Sequence, residues 1–402
     1  MQELIKPLIQ KNDSKIIMVV LDGLGGLPIN GRTELEAART PNLDALAQRS
    51  ACGLHVPIDY GITPGSGPGH LGIFGYNPKE NQIGRGILEV LGLGLEVAKS
   101  DVAVRCNYAT LKDGLITDRR AGRIPTDQSR KLTERLQKEI PKIDDAALTF
   151  APGMEHRFAV LMRFPEALAP DAAAVSDGDP QKEGKPILYP APQTKNAEKV
   201  AKTATALMQR AGEALKGEEK ANFILTRGFS SMPHIPTFEE AFGLKAIAIA
   251  TYPMYRGLAK LVGMETPSLS GTVEDQISFL KQEYGNYDFF FLHVKKIDSY
   301  GEDGNFDGKA ARIEEFDVLL PQILGLKPDV LIVTGDHSTP ALLKGHSWHP
   351  VPALLHSSYV LGGTCSGFSE RECLKGELGL FDATKLMPLA LANSLRLKKF
   401  GA

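Results

Sequence analysis

The sequence predicts an α/β protein, a mostly parallel sheet sandwiched by helices, with a smaller inserted α+β domain. Three observations predict it. Residues 15–21 (KIIMVVL) form an unbroken apolar, β-branched run, the pattern of a strand buried on both faces of a parallel sheet. From residue 196 onward, helix-like and strand-like segments alternate, an order that implies a parallel sheet covered by helices. Between them, from residue 77 to about 185, the alternation gives way to strand-like pieces around one helix. The core is therefore expected to be discontinuous, residues 1–76 and 186–402. Residues 77–185 would be the insertion, and residues 171–192, rich in Ala, Asp, Gly and Pro, its exit linker.

The first strand ends in Asp22-Gly23. A charged residue directly after a buried strand lies at the carboxyl edge of the sheet, where open α/β sheets place their ligands. Residues 39–53 are expected to be helical, with Thr40 as N-cap, Pro41 in the first position and Gly53 beyond the end. A short strand over 54–58 leads into GITPGSGPGHLGIFGY (61–76), where Ser66 lies between two glycines, ahead of Pro68 and an apolar, helix-like run. Glycine on both sides permits a sharp turn and close ligand approach, and a serine there presents its hydroxyl at a helix N-terminus, which favours phosphate. Taken alone, a GSG is simply a helix-capping turn.

The insertion reads as a short helix over 84–94, strands over 101–111, 115–119 and 157–164, and a helix over 126–139. It carries Arg105, Arg119, Arg120, Arg123, His156 and Arg157. Most arginines coat a solvated face, but DRRAGR (118–123) is dense, and arginine grips carboxylate or phosphate with two parallel hydrogen bonds. Beyond it come helix 196–215, strand 222–226, strand 244–250, helix 255–262, helix 272–284, strand 288–292, helix 309–325 and strand 329–334.

Three stretches at predicted strand ends, or in the loops after them, change the reading of the serine turn. DFFFLHVKKIDSYGED (288–303) places Asp298 and Glu302 four apart; LIVTGDHSTP (331–340) places Asp336 and His337 just past a strand; ALLKGHSWHPVP (341–352) supplies His346 and His349. Each alone is an ordinary loop. Together with Asp22 they offer carboxylates and imidazoles for one or two divalent ions near a serine, and carboxylates so concentrated repel one another unless cations intervene.

Composition narrows the classes. The net charge of −2, from 46 basic and 48 acidic side chains, gives no electrostatic case for nucleic acid or an anionic membrane. Four cysteines without a CxxC spacing indicate neither a disulfide framework nor a zinc cluster. Residues 1–13 lack the apolar core of a secretory signal, and no run approaches the ~20 apolar residues of a membrane span. The expectation is a soluble, cytoplasmic protein with a small-molecule substrate; monomer and homo-oligomer stay open.

Asp22-Gly23, TPGSGPGH, KKID-SYGE, GDHSTP and GHSWHPVP, in this order, resemble the alkaline phosphatase superfamily and, within it, the archaeal-type cofactor-independent phosphoglycerate mutases. The resemblance runs over nearly the whole chain, including EAARTPNLDALA (36–47), FGYNP (74–78), GRGILEVLGLG (84–94) and DRRAGR. It implies an alkaline-phosphatase-like core and Ser66 as the serine that becomes phosphorylated. It implies Asp22, Ser66, Asp336 and His337 around one metal, and Asp298, Glu302 and His346 around the other. The ions would be Mn²⁺ foremost, or Mg²⁺, Co²⁺ or Zn²⁺, with no need of 2,3-bisphosphoglycerate. The insertion would be a substrate-binding lid, with Arg119, Arg120, Arg123, Arg157 and Lys295 as candidate grips on carboxylate and phosphate. One position departs from the pattern: better-known relatives carry histidine where this chain has Glu302, an exchange of neutral nitrogen for anionic oxygen that favours hard ions. The same residues also suit a metal-dependent phosphatase or a homoserine-kinase-like phosphotransferase, and Glu302 alone would suit a non-catalytic phosphoglycerate-binding protein.

Overall fold

The computed structural model describes residues 2–233 and 235–401. The chain divides into two compact units, Met1–Gln82 with Ile235–Ala402, and Ile83–His234. The insertion is thus longer than the sequence suggested.

In the larger unit a seven-stranded sheet runs Ala246–Ile249, Phe289–Val294, Ile16–Leu21, Val330–Thr334, Val351–Ser357, Ala51–Val56, Gly379–Asp382. The first four strands are mutually parallel, Val351–Ser357 is antiparallel to both neighbours, and the outermost pair is parallel again. Register explains why function collects at one edge. Leu21 lies opposite Val294, and Val20 opposite Thr334, so three adjacent strands finish level. The next residues of each chain, Asp22, Lys295 and Gly335-Asp336, therefore emerge side by side. Beneath them, alternate residues Ile17, Val19, Leu21, Phe290, Leu292, Leu331 and Val333 pack with Ile313, Phe316 and Leu320 of the helix Phe306–Leu324. On the other face Phe291 meets Phe74 edge-on at 4.9 Å, and Phe74 meets Phe238 at 5.7 Å.

Two local expectations change. The helix expected over 39–53 is only Pro41–Ala47; Pro41 opens it as anticipated, but Thr40 makes no side-chain cap bond. Residues 51–56 are instead a strand, and Gly53 lies inside it, because pairing on both sides takes precedence over the C-cap signal. The loop expected over 341–352 ends two residues early, because Val351 and Pro352 open the buried strand Val351–Ser357, in which the Pro352 carbonyl accepts the Thr334 hydroxyl at 2.8 Å.

The smaller unit is an antiparallel sheet. Asp101–Lys112 runs along Arg157–Arg163 on one side and Phe223–Ser231 on the other, with Ala146–Pro152 beyond and Leu115–Asp118 at its far end. Helices Thr126–Glu139 and Glu198–Ala214 contribute Leu132, Leu136, Val200, Ala204, Leu207 and Ala211 to its core. The helix expected over 196–215 and the strand over 222–226 therefore belong here and not to the parallel sheet. Residues 171–192 are not an exit linker either: Ser176 N–H donates to Ala191 and Gly178 N–H to Thr226, at 2.9 and 2.8 Å, which keeps them within this unit. No helix among the described residues is long and apolar enough to cross a membrane.

Candidate active site

Ser66 opens the helix Ser66–Ile73, whose N-cap is Gly65. That helix can lie against the Asp336 loop only because residue 69 is glycine; a Cβ there would stand 2.5 Å from the Asp336 carbonyl oxygen. The Ser66 Oγ lies 3.4 Å from His337 Nε2. Asp22, Asp336 and His337 are fully buried, and one ligand atom of each falls within 4.8 Å of the others. Asp298, His337 and His346 form a second such group. His337 is common to both, whereas the sequence had assigned it to the first alone.

Both histidines are oriented from behind. His346 donates Nδ1–H to the Pro64 carbonyl at 2.9 Å, which leaves Nε2 facing Asp298 Oδ1 at 3.6 Å and Glu302 Oε1 at 3.8 Å. His337 Nδ1 lies 2.9 Å from Thr339 Oγ1, with Nε2 3.0 Å from Asp336 Oδ2 and 3.4 Å from Asp22 Oδ1. A ring nitrogen held as N–H by a fixed acceptor, with the other lone pair free, is how proteins present histidine to a metal. Both oxygens of Asp22 and Oδ2 of Asp336 are buried without a hydrogen-bond partner. Lys295 and His293 stand within 3.3 Å of Asp22 Oδ2, and His337 and His70 within 3.1 Å of Asp336 Oδ2, so ion pairs partly compensate the carboxylates. Their buried oxygens, converging with imidazole nitrogens, are a donor set that fits divalent ions.

Electrostatics point the same way. Burial and Asp336 push the Asp22 carboxyl upward, but His293 and Lys295 outweigh them and hold it below its ordinary value. Burial would likewise raise Asp336, but His337 and His70 hold it well below the carboxylate range. Burial lowers His337, yet Asp336, Asp22 and Asp298 together carry it up to about 9, so without a cation Nε2 also holds a proton, shared with Asp336, which a bound metal ion would displace. Lys295 sets its ammonium 3.2 Å from Asp22 Oδ2 and in contact with Asp298 Oδ2; burial opposes its charge and the two carboxylates restore it, with a net rise.

Glu302 differs from the rest. Asp298 and Glu302 lie one turn apart on the helix Lys296–Glu302, but the Glu302 side chain is 53% exposed and joins neither three-residue group. Two further histidines, neither of them among the candidates read from the sequence, stand beside these carboxylates. His293, whose Nε2 lies 3.3 Å from Asp22 Oδ2, hides in an aromatic run, where strand alternation sets it beside Phe291; its ring packs 3.8 Å from that of Tyr255. His70, one helical turn after Ser66, points Nδ1 at the Ser66 carbonyl (2.9 Å) and Asp336 Oδ2 (3.1 Å). His349 bonds the Ser347 hydroxyl at 3.0 Å and belongs to neither group.

In the smaller unit the arginines divide. Arg119 spends its guanidinium on buried Asp179, through Nε at 2.8 Å and a terminal nitrogen at 2.7 Å. Arg120 and Arg123 are exposed on a knuckle in which the Asp118 carboxylate accepts the N–H groups of Arg120 and Gly122 at 2.7 and 2.6 Å. Arg157 and Arg105 each bury an Nε that has no partner. Burial pulls the Arg105 guanidinium down, and Arg157, Arg85 and Arg227 add to this as neighbouring positive charges. Sequence reading singled out Arg157 as a grip and named Arg105 without giving it that role, but passed over Arg85 and Arg227, which are far apart in the chain.

The profile of the 2,3-bisphosphoglycerate-independent phosphoglycerate mutases matches residues 47–221. A probable 2,3-bisphosphoglycerate-independent phosphoglycerate mutase of Aquifex aeolicus is 59% identical over 406 residues, covering 100% of both chains. The chain belongs to this family. Its counterpart in Thermotoga maritima is 51% identical, over 100% of this chain and 99% of that protein. Among solved structures, the cofactor-independent phosphoglycerate mutase of Thermoplasma acidophilum superposes with a TM-score of 0.74 at 27% identity, over 95% of this chain and 100% of that one. A Pyrococcus horikoshii protein superposes at 0.82 with 30% identity, over 98% of this chain and 100% of that one. Like other 2,3-bisphosphoglycerate-independent phosphoglycerate mutases, the chain is an isomerase acting on phosphoglycerate, and its acid–imidazole groups are candidate divalent-metal sites.

Proposed function

We propose that this phosphoglycerate mutase interconverts 3-phosphoglycerate and 2-phosphoglycerate through a phosphoserine on Ser66, serving glycolysis and gluconeogenesis. The observation that supports this best is Ser66 Oγ, 3.4 Å from His337 Nε2, beside the fully buried carboxylates of Asp22 and Asp336. Asp22, Ser66, Asp336 and His337 would hold one divalent ion, and Asp298 and His346, with Glu302 at the rim, the other. Bound there, the ions would polarise the phosphoryl oxygens and lower the pKa of the serine hydroxyl. A donor set this rich in carboxylate favours Mn²⁺ over Zn²⁺.

The chain's own groups perform the rest. Ser66 Oγ forms a bond to phosphorus as the bond from phosphorus to the glycerate oxygen breaks, and the hydroxyl proton ends on the departing oxygen. The other glycerate hydroxyl then attacks the phosphoserine, and its proton returns to Ser66. The N-terminal end of the helix Ser66–Ile73 and the Lys295 ammonium oppose the phosphoryl charge. In the smaller unit, taken as the substrate-binding unit, Arg157 and Arg105 are anion receptors with donors to spare. Arg120 and Arg123 are held ready on the knuckle, and Arg119 acts as a structural strut.

The test is a coupled assay with 3-phosphoglycerate and no 2,3-bisphosphoglycerate, with and without Mn²⁺, tracking free phosphate in parallel. Metal-dependent 2-phosphoglycerate with little free phosphate is the expected result, and Ser66→Ala should lower turnover by about 10⁴-fold or more. Free phosphate without isomer would move the chain to the phosphatases.

A further inference from the structure

Thr339 belongs to none of the ligand groups, yet both converge on it. It is fully buried. Its hydroxyl donates to Asp298 Oδ1 at 2.7 Å. A hydroxyl has one proton to give, so the 2.9 Å contact with His337 Nδ1 runs the other way, with Nδ1–H donating to Thr339 Oγ1. One hydroxyl therefore sets the His337 tautomer, leaving Nε2 as the ligand atom, and also orients the carboxylate of the second group.

The surroundings leave Thr339 almost no freedom. Its N–H donates to the Gly25 carbonyl at 3.0 Å. The ammonium of Lys309, buried in the helix Phe306–Leu324, donates to the Thr339 and Gly25 carbonyls, both at 2.9 Å. The Glu34 carboxylate accepts the Ala341 N–H at 2.6 Å, and Glu370 accepts the Gly26 N–H at 2.8 Å. The backbone closes in directly as well. A Cβ on Gly23, whose φ is +66°, would stand 2.5 Å from Thr339 Oγ1, and one on Gly301 would stand 2.2 Å from the Thr339 carbonyl oxygen. Those glycines belong to the loop after the first strand and to the helix that carries Asp298.

We propose that Thr339, clamped from behind by Lys309, is the positioning residue that joins the two candidate metal sites. It holds His337 as the Nδ1–H tautomer and fixes Asp298 through the same oxygen. This rests on the metal reading of the site given above. Groups that orient ligands in this way typically control affinity by about 10–100-fold.

The test is calorimetric titration of the folded protein with Mn²⁺, comparing wild type, Thr339→Val and Thr339→Ser. Valine keeps the shape and both backbone carbonyl bonds but removes the shared hydroxyl; serine restores it. Thr339→Val should bind Mn²⁺ about 10–100-fold more weakly while Thr339→Ser stays within about threefold of wild type. Thermal unfolding of the metal-free proteins supplies the second readout. A merely structural threonine would lower Tm without changing Mn²⁺ affinity, and that result overturns the proposal. A wild type that binds no Mn²⁺ overturns the metal reading itself, and the proposal with it. Ring-nitrogen NMR of Mg²⁺-loaded wild type covers the case in which Thr339→Val does not fold: a protected Nδ1–H on His337 is expected, and an Nε2–H tautomer overturns the assignment.

Discussion

Glu302 tests how far a donor set can be read from position alone. One helical turn from Asp298 and 3.8 Å from His346, it lies at the rim of the second group with half its surface in water. A carboxylate there adds negative charge and oxygen character, so Glu302→His should raise the affinity for Zn²⁺ relative to Mn²⁺ by about tenfold or more. Competitive titration measures the ratio, and an unchanged ratio would make Glu302 a solvated bystander. His55 carries a different kind of prediction. It is completely buried, with Nε2 2.9 Å from the Gly335 carbonyl, and burial pushes its pKa from 6.5 down to about 4. Unfolded chains bind the proton first as pH falls, so stability is full above pH 6.5 and declines between 6.5 and 4, by roughly 3 kcal/mol at most. Tm measured against pH for wild type and His55→Gln should show the wild-type curve steeper across that window; parallel curves would refute the assignment.

Elements with a strong local signature were legible. The helix Thr126–Glu139 was read to the residue, and the strands Ile16–Leu21 and Asp101–Lys112 nearly so, because alternation or unbroken apolar character records burial on a single element. The places of Asp22, Asp336 and His337 just past strands, and of Ser66 at a glycine turn, were legible, but that they converge follows from the sheet and not from any one segment. Pairing between distant segments was not legible. Prolines hid the strand Val351–Ser357, and the strand Phe223–Ser231 looked like part of the parallel alternation until its antiparallel partner Asp101–Lys112 was seen. The pairing of Arg119 was hidden for the same reason, since nothing near it in sequence announces Asp179. That pair links the knuckle after Leu115–Asp118 to the 177–181 loop, and it leads to opposite expectations for two arginines. Asp179→Asn should weaken the buried pair by roughly 2 kcal/mol, the partial exposure of Arg119 limiting the loss, and lower Tm by about 4–8 °C. Arg157→Lys, at a guanidinium whose buried Nε has no partner, should leave Tm nearly unchanged and raise KM for phosphoglycerate about tenfold or more. Scanning calorimetry and steady-state kinetics on both variants separate the roles; a large KM effect from Asp179→Asn with no change in Tm would reverse them.

The two units are built by different rules, and this bears on how the molecule folds. Ile83–His234 is one continuous segment with its own core, in which Val104, Cys106, Phe158 and Val160 of the sheet meet Leu136, Leu207 and Ala211 of the two helices. The larger unit must join Met1–Gln82 to Ile235–Ala402, because the strand Ile16–Leu21 lies between Phe289–Val294 and Val330–Thr334. This interior strand thus cannot be flanked on both sides until residues 289–334 are present, and closing so long a loop makes parallel pairing slow. The smaller unit has every strand partner within itself and falls in the size range of autonomous domains. Residues 83–234 expressed alone should therefore unfold in a single cooperative thermal transition, with far-UV dichroism of mixed helix and strand. Arg119 and Asp179 both lie inside the segment, so Asp179→Asn should lower the Tm of the fragment and of the whole chain alike. A fragment without a cooperative transition would show that the smaller core depends on the larger unit. A fragment that folds but ignores Asp179→Asn would take the buried ion pair out of its stability.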